Sequence, residues 1–375
     1  MVVPVVVRSL AAVAGGALVI AAWASVIATL IVPRRGSRLA RWTDRIVNWA
    51  FDVAVGANAD YARRHRMRVP QGVAILIVQF VAWLGSSFIG FTLLLWPFAT
   101  GGITQAFTVA GGSMTTLGFS APAGTIPPPI VFAAAASSLV IIAPQIAYLP
   151  ALYAAYNRRE PEVGLLSTRS GLPSWGPELL ARTHYALGSG VSTLDTLADL
   201  YEQWGRWAFD VGESHSAFLP LVRFRSARHL TSWVTALLAV LDSAALFLAL
   251  SPEYAPTVPA RLCLRNGFLC FQQIALAMGF DVPDEPGPDT FSTLSYLEFV
   301  DAVARLRTVD FPIERAPEEA WPDFIGWRVN YEPAAYALAF AVDAVPAPWS
   351  GPRRHGVAVI SPISPIRPAG GRPPG

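Results

Sequence analysis

From Val69 to Asn157 the chain contains no Asp, Glu, Lys or Arg. A water-facing surface of that length needs charge, so most of this stretch belongs outside water. The rest of the composition agrees: 53% of the residues are apolar and 14% are charged, against about 25% charged in an ordinary soluble domain. Two long uncharged runs inside the stretch, Val73 to Phe98 and Ile130 to Tyr156, are each long enough to span about 30 Å of hydrocarbon as a helix. A third such run precedes them, Leu10 to Val32. Ala22-Trp23-Ala24 within it resembles a signal-peptide cleavage site, but a signal's apolar region is about 7–15 residues and this one continues to Arg34 and Arg35. It is therefore read as a retained spanning helix.

Charge sets the expected orientation. Up to Arg68 there are ten Arg and three Asp, Asp44, Asp52 and Asp60. Short Arg-rich connections stay in the cytoplasm, which puts the N-terminus outside and the segment Ala99 to Pro129 outside as well. Within the basic connection, Leu39, Trp42, Ile46, Trp49 and Val53 share one helical face, and Arg38, Arg41 and Arg45 lie off it. Such a helix either lies flat in the membrane interface or packs on the protein's own cytosolic part.

The external segment has no charge. It opens on Gly101-Gly102 and closes on Pro127-Pro128-Pro129. Ile103 to Gly112 suits a short helix, and Thr115 to Gly118 is expected to follow as extended backbone. Irregular backbone at membrane depth is tolerated where it is buried in protein or lines a water-filled cavity. A short helix and an extended strand between two spanning helices is the layout of a re-entrant loop.

The string Ser113-Met114-Thr115-Thr116-Leu117-Gly118-Phe119-Ser120 resembles the selectivity filter of the potassium-channel family, T-V-G-Y-G followed by Asp. Thr116 and Gly118 match, Leu117 stands for Val and Phe119 for Tyr; Ser120 replaces the second Gly and Ala121 the Asp. The resemblance covers the helix–loop–helix unit from Val73 to Tyr156. It implies a ring of backbone carbonyls that replaces the water shell of K⁺, with the glycine supplying positive φ. One unit per chain further implies a homotetramer in a lipid bilayer, passing K⁺ or another monovalent cation with no bound cofactor. On the second helix, Pro144 and Pro150 each remove a helix hydrogen bond and are hinge candidates. Thr115 and Gln145 are candidates for lining the pore, Gln145 because an amide facing lipid is costly.

After Arg158 and Arg159 the chain turns water-like. Thr231 to Leu250 is apolar and long enough to span, but Asp242 sits in its middle and Arg residues flank both ends, so it is read as a buried core helix. Cys263 and Cys270, seven apart, share a helical face and read as buried small residues. Glu213-Ser214-His215-Ser216 places acid, nucleophile and base side by side, which is not a catalytic arrangement in itself. His184, His215 and His229 lack ligand spacing, Glu318-Glu319 suits a solvated face, and no phosphate loop, nucleic-acid motif or enzyme signature is found.

The expectation is an all-α protein of the cell membrane. Residues 1–33 form an extra transmembrane helix, 34–71 a basic amphipathic segment, 72–157 a helix–pore loop–helix unit and 158–344 a mainly helical cytosolic domain. Residues 345–375, rich in Pro and Gly, are expected to lack fixed structure. The regulatory ligand of the cytosolic domain is not named by its residues. The alternatives are a non-conducting membrane sensor or scaffold on the same fold, and a membrane enzyme with its site in the C-terminal half.

Overall fold

A computed structural model describes residues 5–31, 37–56, 59–118, 126–184, 193–283 and 292–351. These are all-helical, with no strand among the described residues. The helices are α1 (Val5–Val26, continued by a π-helical turn at Ile27–Ile31), α2 (Arg38–Val55), α3 (Tyr61–Arg68), α4 (Gln71–Leu95), α5 (Gly102–Met114), α6 (Pro128–Ser170), α7 (Gly176–His184), α8 (Thr196–Ala217), α9 (Trp233–Leu250), α10 (Thr257–Met278), α11 (Tyr296–Arg307), α12 (Pro317–Arg328) and α13 (Glu332–Ala341). Among the described residues, four stretches of helix are long and apolar enough to cross a membrane: those containing α1, α4, α6 and α9. Apolar helices of this length belong to a membrane-embedded protein.

The chain forms two compact units. The first comprises Met1–Ala54 and Pro70–Ala154, the second Val55–Val69 and Ala155–Gly375. In the first unit α1 lies directly against α4. A Cβ on Gly15 would come 2.5 Å from the Gly90 carbonyl, and one on Gly90 would come 2.7 Å from Val19 Cγ2. The two backbones thus touch through glycine, the small-residue contact that lets helices pack where lipid removes the hydrophobic drive. Two indoles add hydrogen bonds across the bundle. Trp83 Nε1 on α4 donates to Ser25 on α1 (2.9 Å), and Trp23 Nε1 on α1 donates to Ser137 on α6 (3.1 Å). The outward faces of α1, α4 and α6 are apolar: Ile20, Ile77, Val81, Phe132, Leu139 and Ile146 are all exposed. Gly90→Leu is expected to destabilise the bundle by more than an ordinary overpacking cost of about 1–3 kcal/mol, because backbone and not side-chain ends must move. Thermal unfolding in detergent reads it, and a melting point equal to wild type would contradict the α1–α4 contact.

α6 continues past Tyr156, so the apolar run Ile130 to Tyr156 is part of a longer helix. It runs unbroken for 43 residues, through Pro144 and Pro150, and ends in the second unit. At about 1.5 Å per residue it is about twice the length a bilayer needs.

α9 is the centre of the second unit. It is apolar all round, the mark of a buried helix, and 94% of it is enclosed by protein. Asp242, in its middle, meets Arg328 of α12 and accepts from Tyr331 Oη at 2.8 Å. Arg328 also donates to Glu332 (2.8 Å), to Tyr336 Oη (2.8 Å) and to the Trp349 carbonyl (2.6 Å). A buried carboxylate is tolerated when it is paired and hydrogen-bonded, as Asp242 is through Oδ1. Cys263 and Cys270 of α10 are buried and free, and burial pushes the Cys263 thiol up to about 12. The tail begins later than expected. Val345, Ala347, Trp349 and Ser350 are buried, and the Trp349 ring packs edge-on against Trp175 (centroids 5.9 Å apart) and against Phe324 (5.4 Å). Residues 345–351 therefore belong to the core, and 352–375 lie outside the described residues.

Candidate functional site

α5 is a 13-residue helix between two long ones. Ala106, Val109, Ala110 and Met114, at three- and four-residue spacing, are buried in a cluster with Val19, Phe91, Leu95, Ile126 and Ala134. Phe107 packs edge-on to Phe88 of α4, with ring centroids 4.7 Å apart. The opposite face is open: Ile103 and Phe107 are about half exposed.

The turn that follows α5 differs from the extended backbone expected. Thr115 is still helical, and its N–H donates to the Gly111 carbonyl at 2.9 Å. Thr116 N–H donates to Ser113 (3.2 Å) and Gly118 N–H to Gly112 (3.3 Å). The last carbonyls of a helix lack partners within it, and in a single chain the following N–H groups satisfy them by turning back. Two residues of this turn have positive φ: Gly118 at +63°, as the motif requires, and Thr116 at +57°. Glycine takes that conformation freely; for Thr it is uncommon and strained. The Thr115 hydroxyl donates to the Gly111 carbonyl (2.6 Å) and the Thr116 hydroxyl to the Thr115 carbonyl (2.7 Å). Thr115, Thr116, Leu117 and Gly118 are exposed, Leu117 at 68%. Phe119 and Ser120, with Ala121, lie outside the described residues.

On α6, Pro144 is half-buried and Pro150 exposed. Gln145 is placed differently from the expectation that it faces a vestibule. It is 9% exposed, hence turned into its own unit, and its Oε1 has no hydrogen-bond partner among the described residues. A residue that lines a cavity between subunits would be open in the single chain.

The acid–nucleophile–base string on α8 is a buried structural contact. Arg159 Nη1 donates to His215 Nε2 (2.9 Å), so Nδ1 carries the ring proton and faces Ser214 Oγ at 3.0 Å. An imidazole in that tautomer cannot take the Ser214 proton, which goes to the Asp210 carbonyl (2.7 Å). Burial, with the Arg159 charge beside it, holds His215 well below the usual histidine range. The folded protein thus keeps it neutral while the unfolded chain protonates near pH 6.5, so stability is present above that pH and falls as pH drops below it. The loss approaches about 1.4 kcal/mol per pH unit. His215→Gln is expected to flatten the stability–pH curve between pH 6.5 and 5 in denaturant titrations; an unchanged slope would place the effect elsewhere.

One cluster had no local signal in the sequence. Arg64 and Arg68 of α3, both buried, and the half-buried Arg225 surround Asp343 at 3.5, 3.6 and 3.5 Å. Its members are up to about 280 residues apart in the chain, so no spacing pattern links them.

No family model matches the chain, and neither a curated protein nor a solved structure matches it.

Proposed function

We propose that the chain is one subunit of a homotetrameric channel of the cell membrane that passes K⁺ or another monovalent cation. The reading rests on one observation: the T-L-G turn follows a short helix that packs on a long apolar helix and precedes another. In this reading α4 and α6 span, α5 re-enters, and the carbonyls of residues 116–120 gather around an axis shared by four chains. The exposed turn and the open face of α5 are where neighbouring subunits would pack. Transport is passive; no chemical step and no cofactor enter it.

The exposed face of α2 supports the membrane setting. Trp42, Ile46, Trp49 and Val53 point outward, and Arg38, Arg41 and Arg45 are exposed beside them. Trp at the interface and Arg near anionic head groups suit a helix lying flat on the cytoplasmic side. The N-terminus is then outside and the second unit cytoplasmic.

The second reading, a non-conducting sensor on the same fold, draws on the turn closing back on α5 and on Ser120 and Ala121 in place of Gly and Asp. Particle mass separates the two. Protein extracted into lipid nanodiscs is expected to contain four chains, and one or two chains per particle would favour the sensor.

A further inference from the structure

We propose that the second unit contains a pocket for the phosphate group of a ligand, held by Arg225, Ser226 and His65. The inference is independent of whether the protein conducts ions. A cavity of about 20 Å³ opens among Tyr61 and His65 of α3, Arg223, Arg225 and Ser226, and Trp233 of α9. Among the described residues no Asp or Glu lines it.

Two features of its wall call for an anion. The first is unsatisfied hydrogen-bonding capacity. Ser226 is 4% exposed and His65 3%, yet Ser226 Oγ and His65 Nε2 have no hydrogen-bond partner among the described residues. Buried polar atoms are nearly always satisfied, and an orphan marks a place for a water or an ion. The second is charge. Two arginines, Arg223 and Arg225, belong to its lining, and Arg225 also meets the Asp343 carboxylate at 3.5 Å. Both reach the end of α13: Arg223 donates to the Ala341 carbonyl (2.6 Å) and Arg225 to that of Val342 (2.7 Å). Helix-end carbonyls carry only a fraction of a charge, so they do not neutralise a guanidinium. Burial, then the charges of Arg225 and His229, lower His65 to about 4, against weaker opposing effects of the Ser226 backbone and Asp343.

The cavity size fixes the kind of ligand. About 20 Å³ admits one oxygen of an anion and leaves the rest at the mouth. Arg225 Nη1 donates to His65 Nδ1 (3.4 Å), which leaves the proton of the neutral ring on Nε2, so His65 Nε2 and the Ser226 hydroxyl are donors beside the Arg225 charge, a set that suits a phosphate oxygen. A phosphate borne on a larger molecule fits this geometry, whether that molecule is soluble or a lipid. His65 lies six residues before Gln71, where α4 starts, so a head group at the membrane surface is one source.

The test uses the full chain in nanodiscs with histidine selectively labelled, His65 being identified by its loss in His65→Gln. Inorganic phosphate is titrated into phosphatidylcholine discs, and separately phosphatidic acid is included in the discs. A saturable shift of the His65 signal and a rise in its pKa are expected in at least one arm. Ser226→Ala should weaken binding about tenfold or more while leaving the fold intact, because Ser226 Oγ holds nothing in its absence. Arg225→Gln should weaken it further. A shift with free phosphate identifies a soluble ligand; a shift only with phosphatidic acid identifies the lipid. No saturable shift in either arm, or one that Ser226→Ala leaves unchanged, overturns the pocket.

Discussion

Arg328→Met is expected to destabilise the second unit by about 3–5 kcal/mol, a large fraction of the stability of an ordinary domain. Arg328 is wholly buried and ties together α9, α13 and the segment that carries Trp349. Its removal strands two carboxylates in the core, Asp242 at 1% exposure and Glu332 at 3%. Glu332 keeps the Ser292 hydroxyl (2.6 Å) and the Thr293 N–H (2.7 Å), and Asp242 keeps Tyr331, but neither keeps a counter-charge on the guanidinium's side. The cost is therefore mainly that of a buried, uncompensated charge. Adding Asp242→Asn and Glu332→Gln to the Arg328→Met chain removes those charges and is expected to recover part of the loss. Denaturant unfolding followed by tryptophan fluorescence reads both effects, since Trp349 and Trp233 lie in this core. If the single and triple variants unfold together, stranded charge is not what the arginine prevents.

Gly118→Ala is expected to cut cation flux at least about 100-fold with little effect on stability. A Cβ at Gly118 meets nothing within 4 Å, so the substitution has no steric reach into the fold. What it changes is the backbone: at φ +63° an alanine is disfavoured by roughly 1–2 kcal/mol. In one chain that is small. In a ring of four it is repeated four times at one place on the axis, and each 1.4 kcal/mol is a factor of ten. Flux that falls while the melting point holds separates a role in conduction from a role in folding. A variant that conducts like the parent would show that Gly118 does not shape the ion path.

The sequence carried the architecture where the requirement is compositional. A bilayer demands runs of about 20 apolar residues, so α1, α4 and α6 were found from charge alone. α5 was placed to within two residues, Gly102–Met114 against Ile103 to Gly112, because glycine and proline bracket it. What the sequence could not carry depended on distant partners. Asp242 argued against a span; that its partner is Arg328, 86 residues on, is a tertiary fact. The tail was judged by its Pro and Gly content, but Trp349 docks on Trp175 and Phe324, and one aromatic anchor outweighs composition. Thr115 to Gly118 was expected to be extended because a filter is; alone, the chain satisfies its helix-end carbonyls instead. Polarity points Gln145 to a cavity, but the fold turns it into its own unit, where its Oε1 has no hydrogen-bond partner among the described residues. Arg225, beside His65 and Asp343, belongs to no motif and emerges only from folding.

The central claim is tested most directly by ion flux into liposomes that contain the purified protein, with K⁺ and Na⁺ gradients compared and Gly118→Ala alongside. K⁺ entry well above Na⁺ entry, lost in the variant, is the result expected of a filter built on Thr116, Leu117 and Gly118. Absence of flux for both ions, from particles that do not contain four chains, would contradict the channel and leave the protein a membrane-anchored sensor.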